Sequence, residues 1–119
     1  MRAAYITGVK QTEIREIDKP VPKKGEVLIK IESVGICGSD LHLFLGVHAF
    51  RKPPVILGHE MSGTVCELGE GVTKFLIGDR VTVNPSVSCG KCLTCKRGLE
   101  NICEQRKAPG TDDWIGCFV

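Results

Sequence analysis

Short runs of alternating apolar and polar residues are the main pattern of this chain, and they predict a mainly β protein. The runs are bounded by glycine, proline and other turn-forming residues, and they cover residues 1–7, 11–17, 27–34, 61–68 and 80–84. The first two, separated by Gly8, predict an opening β-hairpin. Fourteen glycines and six prolines divide the chain at the spacing expected for a small, strongly curved β-barrel.

One short helical turn interrupts the β pattern. Leu41, Phe44 and Leu45 are spaced so that they share one side of a helix over residues 40–45. Ser39 precedes this turn and is predicted to cap its start, because a serine hydroxyl accepts a hydrogen bond from a free backbone N–H.

Four clustered cysteines give the strongest chemical signal in the sequence. They follow the spacing C-x2-C-x2-C-x7-C and are Cys89, Cys92, Cys95 and Cys103. Such a segment can surround one tetrahedral ion with four thiolates without help from the rest of the fold, which is the arrangement of a closed structural zinc site. We therefore predict a zinc lobe over about residues 86–106.

Two other uses of clustered cysteines fit this segment less well. The bacterial iron–sulfur run is C-x2-C-x2-C-x3-C-P, whereas the last gap here is seven residues and Glu104 follows Cys103. Disulfide pairing needs an oxidising compartment, and residues 1–10 have neither the apolar core nor the cleavage site of a signal peptide. Reduced cysteines that hold zinc in a cytoplasmic protein are the expectation.

A second group of ligands and proton carriers lies around the helical turn. It comprises Cys37, Ser39, Asp40, His42, His59 and Glu60. Zinc accepts thiolate, imidazole and carboxylate ligands together, and a catalytic zinc keeps a position free for water or substrate. A carboxylate such as Asp40 can orient a ligating His59 through its second ring nitrogen. Spacing alone leaves two interpretations open: an open zinc site, or an unrelated buried cysteine, solvated histidine and surface carboxylate.

Composition excludes several classes of protein. The 119 residues are 42% hydrophobic, with no apolar run long enough to span a membrane. The formal charge of +2 becomes about zero once four thiolates hold a zinc ion. Aromatic residues are only 5% and the basic residues are dispersed, so the sequence lacks the stacking platforms and basic stripes of nucleic-acid-binding proteins. We expect a soluble globular domain.

Two cysteines lie outside both groups. Cys66 falls within the predicted strand 61–68 and is expected to be a buried apolar residue. Cys117 is near the C-terminus and is expected to be exposed.

Glycine-centred motifs accompany the second group. Residues 58–65 read GHEMSGTV, followed by Gly69, Gly71-Val72 and GDRV at 78–81, and residues 35–42 read GICGSDLH. With the cysteine lobe, these motifs resemble the N-terminal GroES-like catalytic domain of zinc-dependent alcohol dehydrogenases of the medium-chain dehydrogenase/reductase family. Gly38 stands where one branch of that family often has a basic residue, so the chain is more similar to the polyol and threonine dehydrogenase branches. The resemblance covers essentially residues 1–119.

The resemblance implies a partly open GroES-like barrel and a role for each residue of the second group. Cys37 and His59 would bind a catalytic zinc, with Glu60 as a ligand or near-ligand. Ser39 and His42 would form a proton relay, and Asp40 would support His59. These roles suit alcohol oxidation, because zinc promotes loss of a hydroxyl proton and a hydroxyl with an imidazole can carry that proton to solvent.

A nicotinamide cofactor, NAD or NADP, would have to take the hydride, because neither zinc nor any side chain accepts two electrons. No Gly-x-Gly-x-x-Gly motif follows a strand and opens a helix in this sequence. The resemblance implies that the Rossmann cofactor domain, and a further zinc ligand, lie beyond Val119. We expect this chain alone to be inactive, and the full-length enzyme to oxidise an alcohol or polyol as a homo-oligomer.

Two other functional classes are open. One is a stand-alone zinc-binding interaction module that keeps the barrel without the chemistry, and the other is a chaperonin-10-like partner. A module retained for its barrel alone has no need of a relay beside an open metal site. A co-chaperonin needs no cysteine lobe.

Overall fold

Six strands in two antiparallel sheets form the framework of the part of the protein that the structure describes. The computed structural model describes residues 1–110 and 114–119. Within this part of the chain the strands are β1 (Arg2–Gly8), β2 (Gln11–Glu16), β3 (Val27–Gly35), β4 (Val55–Ile56), β5 (Glu60–Leu68) and β6 (Arg80–Thr82). The sheets have the orders β2-β1-β4 and β3-β5-β6. The mainly β prediction and the opening hairpin are confirmed, while β4 is an additional strand and β6 ends two residues early.

The helical turn begins earlier than predicted. Helix α1 spans Gly38–Phe44 and its N-cap is Cys37, so Ser39 lies inside the first turn and the prediction that Ser39 caps the helix is wrong. The reason lies with Asp40, whose carboxylate Oδ2 accepts a hydrogen bond from the Cys37 backbone N–H at 3.0 Å. A carboxylate at the third helical position that reaches back in this way fixes the start of a helix.

The hydrophobic core lies between the first sheet and α1. Ile6, Leu43 and Leu57 are buried together there, and Phe44 and Phe118 pack against them. Burial of each large aliphatic side chain contributes about 1.5–3 kcal/mol. The hairpin turn of β1 and β2 also holds α1, since the Lys10 backbone N–H donates to the Phe44 carbonyl at 2.7 Å. The first sheet therefore fixes the position of α1.

The second sheet brings two chain segments to the start of α1. β3 and β5 pair from Val27 opposite Leu68 to Gly35 opposite Glu60. Gly35 ends β3 and leads to Cys37, while Glu60 begins β5 directly after His59. The pairing thus places these two segments side by side.

A separate lobe follows β6. Its base is closed by Val87 and Lys107, whose backbone groups exchange two hydrogen bonds of 2.9 Å. It contains the short helix α2 (Leu93–Lys96) and a 3-10 turn at Glu100–Ile102. Among the described residues, no helix combines the length and the apolar character needed to cross a membrane.

Candidate metal centres

Four cysteine sulfur atoms converge inside the lobe, all within 4.8 Å of one another. The Sγ–Sγ distance is 3.4 Å for Cys92 and Cys95, 3.9 Å for Cys92 and Cys103, and 4.0 Å for Cys89 and Cys95. Thiolates bound tetrahedrally to zinc at about 2.3 Å lie about 3.8 Å apart. The four sulfur atoms therefore fit one zinc ion, and they come from the residues predicted for the lobe.

The thiols of the lobe differ in acidity. The Thr94 hydroxyl, 3.0 Å from the Cys92 sulfur, and the Cys95 backbone N–H lower the pKa of Cys92 to about 6. Backbone N–H groups of Lys91 and Cys92 lower the pKa of Cys89, whereas burial raises the pKa of Cys95 to about 12. Near neutral pH Cys92 is thus mostly thiolate and ready to bind a cation. The charge of a bound cation would then favour deprotonation of Cys95.

A second, mixed group of ligand atoms lies at the start of α1. The Cys37 sulfur, a His59 ring nitrogen and a Glu60 carboxylate oxygen are all within 4.8 Å of one another. Cys37 and His59 are half-buried, whereas Glu60 is exposed. Thiolate, imidazole and carboxylate together suit zinc, and three protein ligands leave a coordination position free. The structure thus brings together the three ligands proposed from the sequence, and their chemistry fits a zinc ion.

Gly58 sets the direction in which the chain enters His59 and Glu60. Gly58 has a φ of +94°, a left-handed conformation that favours glycine, and it turns the chain just before β5. A Cβ atom at Gly58 would also lie 2.6 Å from the Cys117 sulfur. Glycine is therefore required at this position for both conformational and steric reasons.

Asp40 lies between the two halves of the mixed site. Only 3% of this residue is exposed. Its Oδ2 atom accepts the Cys37 N–H, and its Oδ1 atom is 3.8 Å from Nδ1 of His59, an electrostatic contact rather than a direct hydrogen bond. The carboxylate thus contacts the segments of both Cys37 and His59.

Ser39 and His42 lie on α1, the helix that begins beside the mixed site. They are three residues apart in this helix, a spacing that makes side chains neighbours on the helix surface. Ser39 is half-buried and His42 is exposed. Of the two side chains, His42 has the greater access to solvent.

A groove beside the mixed site is a feature that the sequence did not indicate. It has a volume of about 460 Å³ and runs from His59 and Glu60 between the ends of β3 and β6, where Ser33, Thr82 and Pro85 line it. Residues from three separate strands form this groove, so no local sequence pattern marks it. The groove gives a small molecule room next to the proposed ligands.

Cys117 is buried, and the expectation that it is exposed was wrong. Only 2% of it is accessible, because the backbone N–H groups of Cys117 and Phe118 donate to the carbonyls of Gly58 and Leu57. Burial raises the pKa of the Cys117 thiol. Cys66 is half-buried, and its thiol donates to the Leu28 carbonyl at 3.4 Å. The uncharged run Gly116-Cys117-Phe118 was the available signal that this segment packs inward.

Known proteins are similar to this chain in sequence and fold. The sequence profile described as "Alcohol dehydrogenase GroES-like domain" matches residues 23–119. The chain is 41% identical to sorbitol dehydrogenase of Bacillus subtilis strain 168, covering 100% of this chain and 35% of that protein. It is 45% identical to L-threonine 3-dehydrogenase of Pyrococcus furiosus, covering 84% of this chain and 30% of that protein.

A solved structure extends the comparison to three dimensions. The alcohol dehydrogenase from Escherichia coli CFT073 complexed with NADH is 39% identical and has a TM-score of 0.87, over 99% of this chain and 34% of that one. This chain thus spans about a third of the length of its relatives. The profile match agrees with the mainly β fold, the cysteine lobe and the similarity to solved dehydrogenases. This chain therefore belongs to the alcohol dehydrogenase GroES-like domain family.

Proposed function

We propose that this chain is the catalytic domain of a zinc-dependent oxidoreductase that transfers a hydride from an alcohol or polyol to NAD or NADP. The observation that carries the proposal is the convergence of Cys37, His59 and Glu60 beside a groove of about 460 Å³. The B. subtilis relative is a sorbitol dehydrogenase and the P. furiosus relative an L-threonine 3-dehydrogenase. Both named substrates carry a secondary hydroxyl, so secondary alcohols, polyols and β-hydroxy amino acids are the proposed substrate class.

The chain's own residues bind the metal, orient it and move a proton. Cys37 and His59, with Glu60 as third ligand or near-ligand, would hold a zinc ion, which would supply a Lewis acid that favours loss of the substrate hydroxyl proton. Asp40 fixes the start of α1 beside His59 and so orients both halves of the site.

The proposed proton path runs along α1. The Ser39 hydroxyl both accepts and donates a proton, and the exposed His42 can pass it to solvent. The four cysteines of the lobe hold a structural zinc ion whose role is stability rather than chemistry.

The cofactor site belongs to a part of the enzyme beyond the aligned region. No side chain of the mixed site accepts a hydride, and the relatives are about three times as long as this chain. We assign residues 1–119 to the GroES-like catalytic domain, with a lobe at about 86–106, and a nicotinamide cofactor to a further Rossmann domain. The backbone pair of Val87 and Lys107 supports the lobe boundaries. The proposed whole enzyme is a cytoplasmic homo-oligomer, and the present chain alone is expected to be inactive.

Mutation of the proposed ligands in the whole enzyme tests this function. Cys37→Ala and His59→Ala should abolish oxidation of sorbitol, L-threonine and simple secondary alcohols, because the metal loses an inner ligand. Elemental analysis should show the loss of one zinc equivalent, with the fold retained. Cys66→Ala is the matched control, since Cys66 belongs to neither metal group, and it should keep both ions. Normal turnover by the Cys37→Ala enzyme would refute the site.

His42→Ala tests the proposed proton path in the same enzyme. Turnover should fall on the order of ten- to a thousandfold, and most at low pH, where the substrate hydroxyl loses its proton least readily. Zinc content should not change, since His42 lies outside the ligand group. A pH–rate profile identical to that of the parent enzyme would exclude His42 from the path.

A further inference from the structure

Three glycines in or next to the strands of the second sheet differ in what a side chain would meet there. A Cβ atom at Gly63 would collide with the Lys30 carbonyl of the neighbouring strand, and one at Gly69 would collide with the Lys23 carbonyl. These two glycines allow close approach of backbone to backbone. A Cβ atom at Gly35 would instead meet Glu60, whose Oε2, Cβ and Cδ atoms would lie 2.6, 3.1 and 3.6 Å away. Gly35 thus leaves room for a side chain of the site.

The register of the second sheet explains this contact. Gly35 and Glu60 are opposite each other in the pairing of β3 and β5, and side chains of directly opposed residues lie on the same face of a sheet. Cys37 lies two residues beyond Gly35, after the end of β3, and its sulfur is within 4.8 Å of a Glu60 carboxylate oxygen. The route of the Glu60 side chain toward the Cys37 sulfur therefore crosses the Cα atom of Gly35, and the carboxylate occupies the volume that a side chain at 35 would fill.

We infer that Gly35 is a positioning residue that keeps the Glu60 carboxylate within ligand distance of the Cys37 and His59 metal site. The inference rests on the proposed function of that site. Glu60 is exposed, so the alternative open to its carboxylate is extension into water. A methyl group at position 35 blocks the path across the sheet and leaves only that alternative.

The backbone of Gly35 gives no other reason for glycine. Gly35 is absent from the positive-φ residues of the chain, so an L-residue adopts its conformation without strain. Alanine within a strand also loses less chain entropy on folding than glycine does. A substitution at Gly35 is therefore expected to act through the Glu60 contact.

Cobalt titration of the 119-residue chain tests the inference without enzyme activity. Zinc is kept in the cysteine lobe, the mixed site is emptied with a weak chelator, and Co²⁺ binding is followed by the thiolate-to-cobalt absorbance and the visible ligand-field bands. Gly35→Ala should weaken Co²⁺ binding on the order of tenfold and change the ligand-field bands as Glu60→Ala does. In a chain that already carries Glu60→Ala, adding Gly35→Ala should weaken Co²⁺ binding by less than about twofold more.

Two further variants separate positioning from general damage. Gly38→Ala is the matched control, because a Cβ atom there meets nothing within 4 Å and its φ is also not positive, and it should bind Co²⁺ as the parent does. Glu60→Asp leaves Gly35 intact but shortens the side chain at position 60. Its carboxylate should then no longer reach the metal, so Co²⁺ binding should weaken as it does in Glu60→Ala. This variant keeps the test valid even if Gly35→Ala destabilises the fold.

The outcomes distinguish this inference from the proposed function. Three results would overturn the role of Gly35 while leaving a metal site at Cys37 and His59. They are Co²⁺ binding by Gly35→Ala as tight as that of the parent, a loss of Co²⁺ affinity on Gly35→Ala that is equal with and without Glu60, and Co²⁺ binding by Glu60→Asp as tight as that of the parent. A parent chain that binds no Co²⁺ outside the cysteine lobe would overturn both the inference and the proposed site.

Discussion

The two candidate metal centres of this protein are built in opposite ways. The lobe takes four donors of one kind from a single segment, and two of them, Cys95 and Cys103, are buried. The mixed site takes three donors of three kinds from two segments, and one of them, Glu60, is exposed beside a groove. A closed set of thiolates satisfies an ion fully, whereas an open set leaves room for water or substrate. The lobe is thus suited to stability and the mixed site to chemistry.

The difference also concerns what holds the donors in place. Three pairs of sulfur atoms in the lobe already lie 3.4–4.0 Å apart, close to the spacing in a zinc tetrahedron, and all four lie within 4.8 Å of one another. Donors of the mixed site depend on a helix start, a glycine turn and the register of the second sheet. Removing a thiolate from the lobe should therefore release its ion and lower the stability of the fold, whereas disturbing the mixed site should change metal affinity with the stability nearly unchanged.

Removing one thiolate from each centre should give the largest contrast. Cys95→Ser should release the lobe zinc and lower the melting temperature on the order of 10 °C, because a structural site contributes its binding free energy to folding. Cys37→Ser should release only the second ion and leave the melting temperature nearly unchanged. Calorimetry with elemental analysis measures both, and equal melting shifts in the two variants would contradict the comparison.

Asp40 should have a smaller effect, confined to the mixed site. Asp40→Asn should weaken metal binding there about 10–100-fold, because a charged partner beside His59 is removed. Asp79→Asn is a matched control: the Asp79 carboxylate accepts the Leu76 N–H at 2.8 Å, three residues back, as Asp40 accepts the Cys37 N–H. Competition with a chromophoric chelator measures the affinities. If Asp40→Asn binds metal as tightly as the parent, the role of Asp40 is limited to fixing the start of α1.

The smallest effect concerns acidity within the lobe. With zinc removed at pH 7, iodoacetamide should modify Cys92 before Cys95, because a pKa of about 6 leaves Cys92 mostly thiolate and a pKa of about 12 leaves Cys95 protonated. Below pH 6 the rate at Cys92 should fall as its thiolate is protonated.

Thr94→Val should slow the reaction of Cys92 a few-fold at pH 6, because loss of the hydroxyl raises the pKa of Cys92. Thr82→Val is the control, since the Thr82 hydroxyl donates to the Met61 carbonyl outside the lobe. Peptide mapping by mass spectrometry gives the rates. Modification of Cys95 as fast as that of Cys92 would refute the proposed difference in acidity between the two thiols.

The sequence predicted local features better than assembled ones. The strands other than β4 and the converging cysteines of the lobe followed from alternation and spacing, because each depends on residues close in the chain. The start of α1 was misplaced at Ser39 because the Asp40 carboxylate, rather than a serine hydroxyl, bonds to the backbone. Burial of Cys117 and the groove at Glu60 were missed because both depend on pairing between distant segments. For the mixed site, spacing left two interpretations open, and the resemblance favoured one.

Counting zinc before and after mild chelation tests the contrast between the two centres most directly. The 119-residue chain is dialysed briefly against a weak chelator and analysed for zinc, with a melting curve to confirm the fold. We expect close to one tightly held zinc per chain from the four-cysteine lobe, a second that varies with preparation before dialysis and is lost after it, and no iron–sulfur absorbance. A folded chain that retains no zinc, or one that holds both ions equally tightly, would contradict the account.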